Sequence, residues 1–203
     1  MTAPNRKLLG NTIAREQFLL NEARIMAQLR HEGLSSEEAA SKVKAENLFR
    51  YPTERSLQRI TLACNRRLDA LNDDRLVRII AEGLPDSAAQ VNLYAMMKFY
   101  PLVRHFMVTE IARHYAEYDY EFTTMDMNAY FTRLASEYDN FATMAETTTT
   151  KLKQVLKKSL KEAGLLGSDG ELVPVLLNMD FEEILRERGD VHALAAFGIR
   201  EGM

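Results

Sequence analysis

Cysteine is almost absent from this sequence of 203 residues, which contains one, Cys64. A single cysteine excludes an internal disulfide framework and a zinc site with several cysteine ligands. Long apolar runs are missing as well, because Lys98, Arg104 and Glu110 interrupt the most hydrophobic region before it reaches the roughly 18 residues of a transmembrane helix. The first residues lack the apolar segment of a signal peptide. We therefore expect a cytoplasmic protein without membrane contact, in which Cys64 is a buried hydrophobic residue.

The motifs of the common enzyme classes are also missing. The four histidines are scattered without the HExxH spacing of a metalloprotease, and there is no P-loop and no dinucleotide-binding fingerprint. Acidic pairs such as Asp73-Asp74 are adjacent at helix starts, where carboxylates favour the helix dipole, and are not spaced to converge on a metal ion. Nothing indicates the strained turn that carries a catalytic serine. The sequence therefore predicts no enzyme activity, no metal site and no cofactor.

The charges of this sequence are segregated. The formal net charge is −3, yet residues 50–67 carry +4 and residues 151–161 carry +5, so the remainder carries −12. Two basic patches on an acidic body indicate a directed contact with a polyanion.

The first basic patch follows a helix-turn-helix pattern. Ser35 and Glu38 form a capping box that starts one helix, and Pro52 with Thr53 starts a second. On the second helix, Arg55, Arg59 and Arg66 share the side opposite the apolar residues, and such a helix can enter the major groove. This hypothesis places the following residues at nucleic acid: Arg50, Thr53, Arg55, Ser56, Gln58, Arg59 and Arg66.

The second basic patch lies on a predicted helix from Glu146 to Ala163. Gly164 ends this helix, and two short apolar segments around a glycine and aspartate turn predict a β-hairpin over residues 165–173. A basic helix followed by a hairpin is typical of a winged helix. The residues predicted to contact nucleic acid here are Thr147, Thr150, Lys151, Lys153, Gln154, Lys157 and Lys161.

The predicted fold is mainly α. An N-terminal three-helix unit with the helix-turn-helix, residues 1–83, begins with a helix from about Ile13 to His31. Hydrophobic central helices follow at 84–122, where Pro101 starts a new helix or kinks a continuing one. A winged-helix-like unit occupies 123–203. We expect the three units to pack as one compact body.

Other interpretations of the basic faces stay open. A row of arginines on a helix is often only a solvated face. The acidic remainder and the apolar centre could instead serve protein partners, which would make the chain an adaptor. RNA is a further alternative, although the sequence lacks the aromatic platform of a single-strand reader.

Three stretches of the chain resemble the BrxA family of bacterial BREX (bacteriophage exclusion) systems. They are NEARIMAQLRHEGLSSEEAASKVKAENLFRYPTERSLQRI, then MMKFYPLVRHFMVTEI with YDYEFT, and TTTTKLKQVLKKSLKEAGLL. The resemblance extends from about Leu20 to Leu177 and rests on the order and spacing of these stretches.

The resemblance implies a cytoplasmic, mostly helical protein that binds double-stranded DNA without known catalytic activity, beside the methyltransferase and ATPase components of a defence locus. Other BREX proteins are therefore expected partners. The family has also been likened to the RNA-binding antitermination factor NusB, and an old label called it an inner-membrane protein, which the hydropathy argues against. The family's basic positions fall on Arg55, Arg59, Lys151, Lys153 and Lys157.

Overall fold

The computed structural model describes residues 7–10 and 12–199, and this part of the chain is mainly helical, with almost no strand. The outer ends of the predicted units, residues 1–6 and 200–203, lie outside the described residues. The helices are α1 (Ile13–Glu16), α2 (Leu20–His31), α3 (Ser36–Glu46), α4 (Glu54–Leu71), α5 (Asp74–Glu82), α6 (Pro85–Phe99), α7 (Pro101–Phe106), α8 (Ala112–Glu117), α9 (Thr124–Glu137), α10 (Asp139–Ala142), α11 (Glu146–Glu162), α12 (Met179–Glu187) and α13 (Val191–Ala196).

The helix starts predicted from capping residues are confirmed where the cap side chain reaches the first turn. Ser35 accepts from the Glu38 amide while the Glu38 carboxylate accepts from the Ser35 amide, which is a complete capping box. The sequence also predicts a cap at Thr123 with Asp126, and α9 has this capping box. A further predicted cap, Asp86, is wrong, because α6 begins earlier, with Pro85 in the first helical position.

The helix predicted from Ile13 to His31 is wrong, because the chain breaks at residues 17–19 into α1 and α2. Gln17 and Leu19 adopt positive φ angles of 47° and 57°. The carbonyl oxygens of Gln17 and Phe18 accept hydrogen bonds from the buried Arg67 guanidinium, and Phe18 O also accepts from Asn92. Because these carbonyls have tertiary donors, they do not continue a helix.

The predicted central helices are present, and they contain a feature that the sequence pattern did not show. Pro101 begins a new helix, α7, which runs into α8 through a π-helical segment, Met107–Ile111. Glu110 in this segment is 1% exposed and pairs with both Arg113 and Arg133, so that it joins the central helix to α9. A buried carboxylate of this kind requires both cations.

The predicted β-hairpin after α11 is reduced to a turn. Leu166 and Leu172 form an isolated bridge, and Glu171 forms another with Glu121, but the described residues contain no extended strand. The Leu172 amide donates to Tyr120 O. The second side of the turn therefore divides its backbone hydrogen bonds between the first side and the segment at Tyr120 and Glu121, and does not pair regularly with either. Two or three residues on each side of a turn are too few for a stable hairpin.

The described residues share a continuous apolar core that extends from Ile13 to Phe197. Helices α2, α3 and α4 contact one another, α5 packs on α2 and α6, and α13 packs on α8. The C-terminal end returns to the N-terminal helices, since α12 packs on α5 and Glu187 pairs with Arg75 at 2.7 Å.

Cys64 is fully buried as predicted, and burial raises the pKa of its thiol to about 12. Within the described range, no helix combines the length and the apolar surface needed to cross a bilayer.

Candidate nucleic-acid interface

The connection between α3 and α4 is held by local hydrogen bonds. Asn47 ends α3 in the left-handed conformation, and its side-chain amide both donates to Tyr51 O and accepts from the Tyr51 amide. The Tyr51 hydroxyl donates to Glu22 on α2 at 3.0 Å. Burial, with Glu22 nearby, raises the pKa of this hydroxyl to about 12, so it remains a donor. Arg50, exposed on this loop, and Thr53 at its end therefore have fixed backbone positions.

Most of the side chains predicted on α4 are available to a ligand. Arg55 and Arg66 are exposed, Arg59 is half-buried, and these three make no ion pair with any described carboxylate. Leu62 lies between them on the same face and is 48% exposed. The opposite face carries the buried residues Leu57, Ile60, Cys64, Leu68 and Leu71, as predicted.

The remaining residues predicted on α4 also have local roles. The Thr53 hydroxyl caps α4 by accepting from the Ser56 amide at 3.3 Å. Gln58 donates to Glu54 one turn earlier at 2.8 Å, and an exposed pair of this kind is weak enough to exchange for another partner.

Substitutions at Thr53 separate its capping role from a contact with nucleic acid. Thr53→Ala should cost about 1 kcal/mol of stability, because an amide of the first turn loses its acceptor. Thr53→Asp keeps an acceptor and should leave the melting temperature near that of the wild type. If Thr53 faces a phosphate, the added negative charge should still weaken duplex binding severalfold, measured by fluorescence anisotropy. Wild-type affinity in Thr53→Asp would place this residue outside the interface.

The face of α11 is basic and largely exposed, with one exception. Thr147, Thr150, Lys151, Gln154 and Lys161 are exposed, and Lys157 is half-buried. Lys153 instead donates to Asn128 on α9 at 2.7 Å, and its ammonium lies 5.4 Å from the centre of the Phe131 ring. Lys153 is therefore partly committed to holding α9 against α11, a contact that helical periodicity alone does not predict.

Two clefts on either side of α1 bring the basic helices together. The larger, of about 540 Å³, is lined by Arg59 from α4, Lys158 from α11 and Arg15 from α1. The other, of about 410 Å³, is lined by Thr147 and Lys151 from α11 and again by Arg15. The structure thus brings Arg59 and Lys151 to clefts that share Arg15, whereas the other predicted cations line neither cleft.

Two cations of these clefts, Arg15 and Lys158, were not predicted from the sequence. Arg15 lies on the short α1, which cannot be recognised as a separate helix as long as residues 13–31 are taken as continuous. Lys158 belongs to the basic run of α11, and its position beside α1 follows only from the packing of α1 on α11. It forms an exposed ion pair with Glu162 at 3.3 Å.

The arginines of the described residues fall into two groups. Those with a carboxylate or buried carbonyl partner are Arg24, Arg30, Arg67, Arg75, Arg78, Arg104, Arg113, Arg133, Arg186 and Arg188. The described arginines whose side chains make no hydrogen bond or ion pair are Arg15, Arg50, Arg55, Arg59 and Arg66. Within the described part of the chain, the unpaired guanidiniums therefore belong to α1, α4 and the loop before α4.

Two of the histidines lie in structural surroundings. His114 is buried, with Nδ1 2.9 Å from Asp119 O, and Nδ1 of His105 lies 2.9 Å from the Tyr130 hydroxyl. Burial lowers the pKa of His105 from its ordinary value, which favours the neutral imidazole. No group of three or more His, Cys, Asp or Glu among the described residues is arranged to hold a metal ion.

Comparisons with known proteins identify the family and a similar fold. A family model described as BrxA matches residues 11–189. The chain is 31% identical over 183 residues to the BREX protein BrxA of Bacillus cereus (strain H3081.97), covering 89% of this chain and 91% of that protein. Its fold is similar to the crystal structure of an uncharacterized protein from Magnetospirillum magneticum, with a TM-score of 0.77 and 18% identity, over 93% of this chain and 97% of that one. The resemblance noted in the sequence is confirmed, and the chain belongs to the BrxA family.

Proposed function

We propose that this protein binds double-stranded DNA through the basic faces of α4 and α11, as a non-catalytic component of a BREX phage-defence system. Family membership supports the defence role, since the relative from Bacillus cereus is named a BREX protein. The observation that carries DNA binding is the gathering of the unpaired arginines on α1, α4 and the loop before α4. These guanidiniums can meet phosphates without first breaking an ion pair, so little of the binding free energy is lost.

In this proposal α3 and α4 act as a helix-turn-helix. The fixed loop from Asn47 to Thr53 would present the first turns of α4 to the major groove. There Arg55 and Gln58 could reach base edges or phosphates, and the exposed Leu62 offers an apolar surface of the kind that contacts thymine methyl groups.

The lysines of α11 suit a different part of the contact. Their ammonium groups are point charges on flexible stems, which favour phosphate contact over base reading. The turn after α11 is not included in the proposed interface, although a winged helix would use it. Asp169 and Glu171 are exposed on this turn, and their carboxylates would repel a phosphate backbone.

A salt series tests the proposal. Equal amounts of a labelled duplex, the matching single strand and a structured RNA are titrated with the protein at several salt concentrations. We expect the duplex to bind with the highest affinity and the logarithm of its association constant to fall with a slope of about −0.9 per phosphate neutralised. No duplex binding at low salt would overturn the proposal, and stronger binding to RNA would transfer it to RNA.

An adaptor role is a second candidate, supported by a different observation. Val173, Leu176 and Met179, in and just after the segment between α11 and α12, are exposed by 43%, 92% and 86%. Large apolar side chains exposed this far are common at protein contacts. Co-purification with other BREX proteins that survives nuclease treatment, together with no duplex binding, would favour this role.

A further inference from the structure

We infer that α1 joins the two basic faces into one surface, so that a single duplex backbone contacts α4 and α11 together, with Arg15 as the bridging residue. This inference rests on the proposed function and adds to it a residue and a binding geometry. The alternative is that α4 and α11 form two independent sites, as two separate helix-turn-helix units would.

The position of Arg15 is the first argument. It lines the cleft shared with Arg59 and Lys158 and also the cleft shared with Thr147 and Lys151, so its side chain lies between α4 and α11. The short helix that carries it packs on both of them. The Arg15 side chain is exposed and makes no hydrogen bond or ion pair with the described residues. Its charge is therefore available where the two faces meet.

The larger cleft leaves two of its three cations, Arg15 and Arg59, available to a phosphate. Each carboxylate that lines it is already engaged by a donor of the protein: Glu16 accepts from the Tyr100 hydroxyl, Glu22 accepts from the Tyr51 hydroxyl and Glu162 pairs with Lys158. Arg59 Nε is inaccessible to solvent and has no hydrogen-bond partner. Arg15 and Arg59 are thus the cations of this cleft without an ion pair, while Glu16 and Glu22 keep their negative charges beside them.

The dimensions fit a single backbone. Lys151 and Lys158 lie seven residues apart on α11, which is about 10 Å along a helix axis, and Arg15 lies beside both positions. Each strand of duplex DNA carries one negative charge per about 3.4 Å of the helix axis, so about three phosphates of one backbone lie within this distance. A backbone that contacts Lys151 at one end and Arg59 at the other passes Arg15.

The stoichiometry of binding separates the two arrangements. The α4-face variant is Arg55→Ala with Arg66→Ala, and the α11-face variant is Lys157→Ala with Lys161→Ala. With one joint surface, the wild type binds one short duplex per chain, and each variant still binds one, at least tenfold more weakly. With independent sites, the wild type binds two, and each variant retains one site of unchanged affinity. Isothermal titration with a duplex of about 15 base pairs measures both quantities, and the second pattern would overturn the inference.

Arg15 itself provides the second test. Arg15→Ala should lower duplex affinity about three- to tenfold and reduce the salt slope by about 0.9, since the variant neutralises one phosphate fewer. Arg15→Lys should recover part of the affinity. The control is Arg78→Ala, which removes an exposed arginine that is paired with Asp180. A wild type that binds no duplex refutes the proposed function, whereas a binding wild type matched by Arg15→Ala in affinity and slope refutes only the inference.

Discussion

Replacing Arg55 and Arg66 together by alanine is expected to weaken duplex binding by about tenfold to a hundredfold, with little change in stability. Both side chains are exposed and unpaired on α4, so their removal takes two cations from the proposed interface and leaves the core packing intact. Alanine is the best helix former, and the free energy of unfolding should stay within about 0.5 kcal/mol of the wild-type value. Fluorescence anisotropy across a salt series and thermal denaturation measure the two quantities. The salt slope should fall by about 1.8, or about 0.9 for each phosphate that is no longer neutralised.

A matched variant controls for the change in net charge. Arg78→Ala with Arg186→Ala also removes two exposed arginines, but these pair with Asp180 and Glu182. Exposed ion pairs contribute about 0.2–1 kcal/mol each, so this variant should unfold close to the wild-type temperature. It should bind duplex within about twofold of the wild type, because its arginines lie outside the proposed interface. If both double variants lose affinity equally, the contact depends on overall charge and not on the face of α4.

Replacing Arg67 by alanine is expected to destabilise the protein by about 3–5 kcal/mol, since each buried acceptor left without a donor costs about 1–3 kcal/mol. Arg67 is fully buried. Its guanidinium donates to Phe18 O at 2.9 Å, to Gln17 O at 2.7 Å and to the Tyr100 hydroxyl at 3.1 Å. Truncation would leave these acceptors without a donor and would also open a cavity.

Thermal denaturation measures this loss directly. A loss of this size should lower the melting temperature by roughly 10 °C, given about 2–4 °C per kcal/mol for a chain of this length. Arg67→Lys should restore only part of the stability, because one ammonium cannot reproduce the fork geometry of the guanidinium. Arg66→Ala is the control one residue away, and it should melt like the wild type. Equal melting temperatures for Arg67→Ala and Arg66→Ala would contradict the structural role given to Arg67.

The pair of Arg66 and Arg67 shows how far the sequence predicts the candidate interface. Helical periodicity placed Arg66 on the same face as Arg55 and Arg59, and the structure confirms that this residue is exposed. The sequence gives Arg67 the same charge, and nothing nearby shows that its partners are two carbonyls some fifty residues earlier in the chain. A local sequence pattern predicts which face of a helix is exposed, whereas the partners of a buried charge belong to distant segments of the chain.

The break between α1 and α2 limited prediction of the candidate interface most. The apolar residues of 13–31 have helical spacing, so the pattern predicts one helix. The break exists because Arg67 and Asn92 supply donors to the carbonyls at the turn. Without this break, Arg15 would not lie on a separate helix against α11. No local sequence pattern predicts the position of Arg15 between the two basic helices.

Sequence patterns alone were enough to predict the mainly helical class, the capping boxes at Ser35 and Thr123, the apolar face of α4, and the family. The caps and the apolar face are local features, because the residues that form them lie within a few turns of one helix. The pairing of the arginines, the contact of Lys153 with α9, and the position of α1 between α4 and α11 follow only from the packing of the folded chain. These outcomes depend on contacts between residues far apart in the chain, where burial and the need to satisfy every buried polar group outweigh local preference.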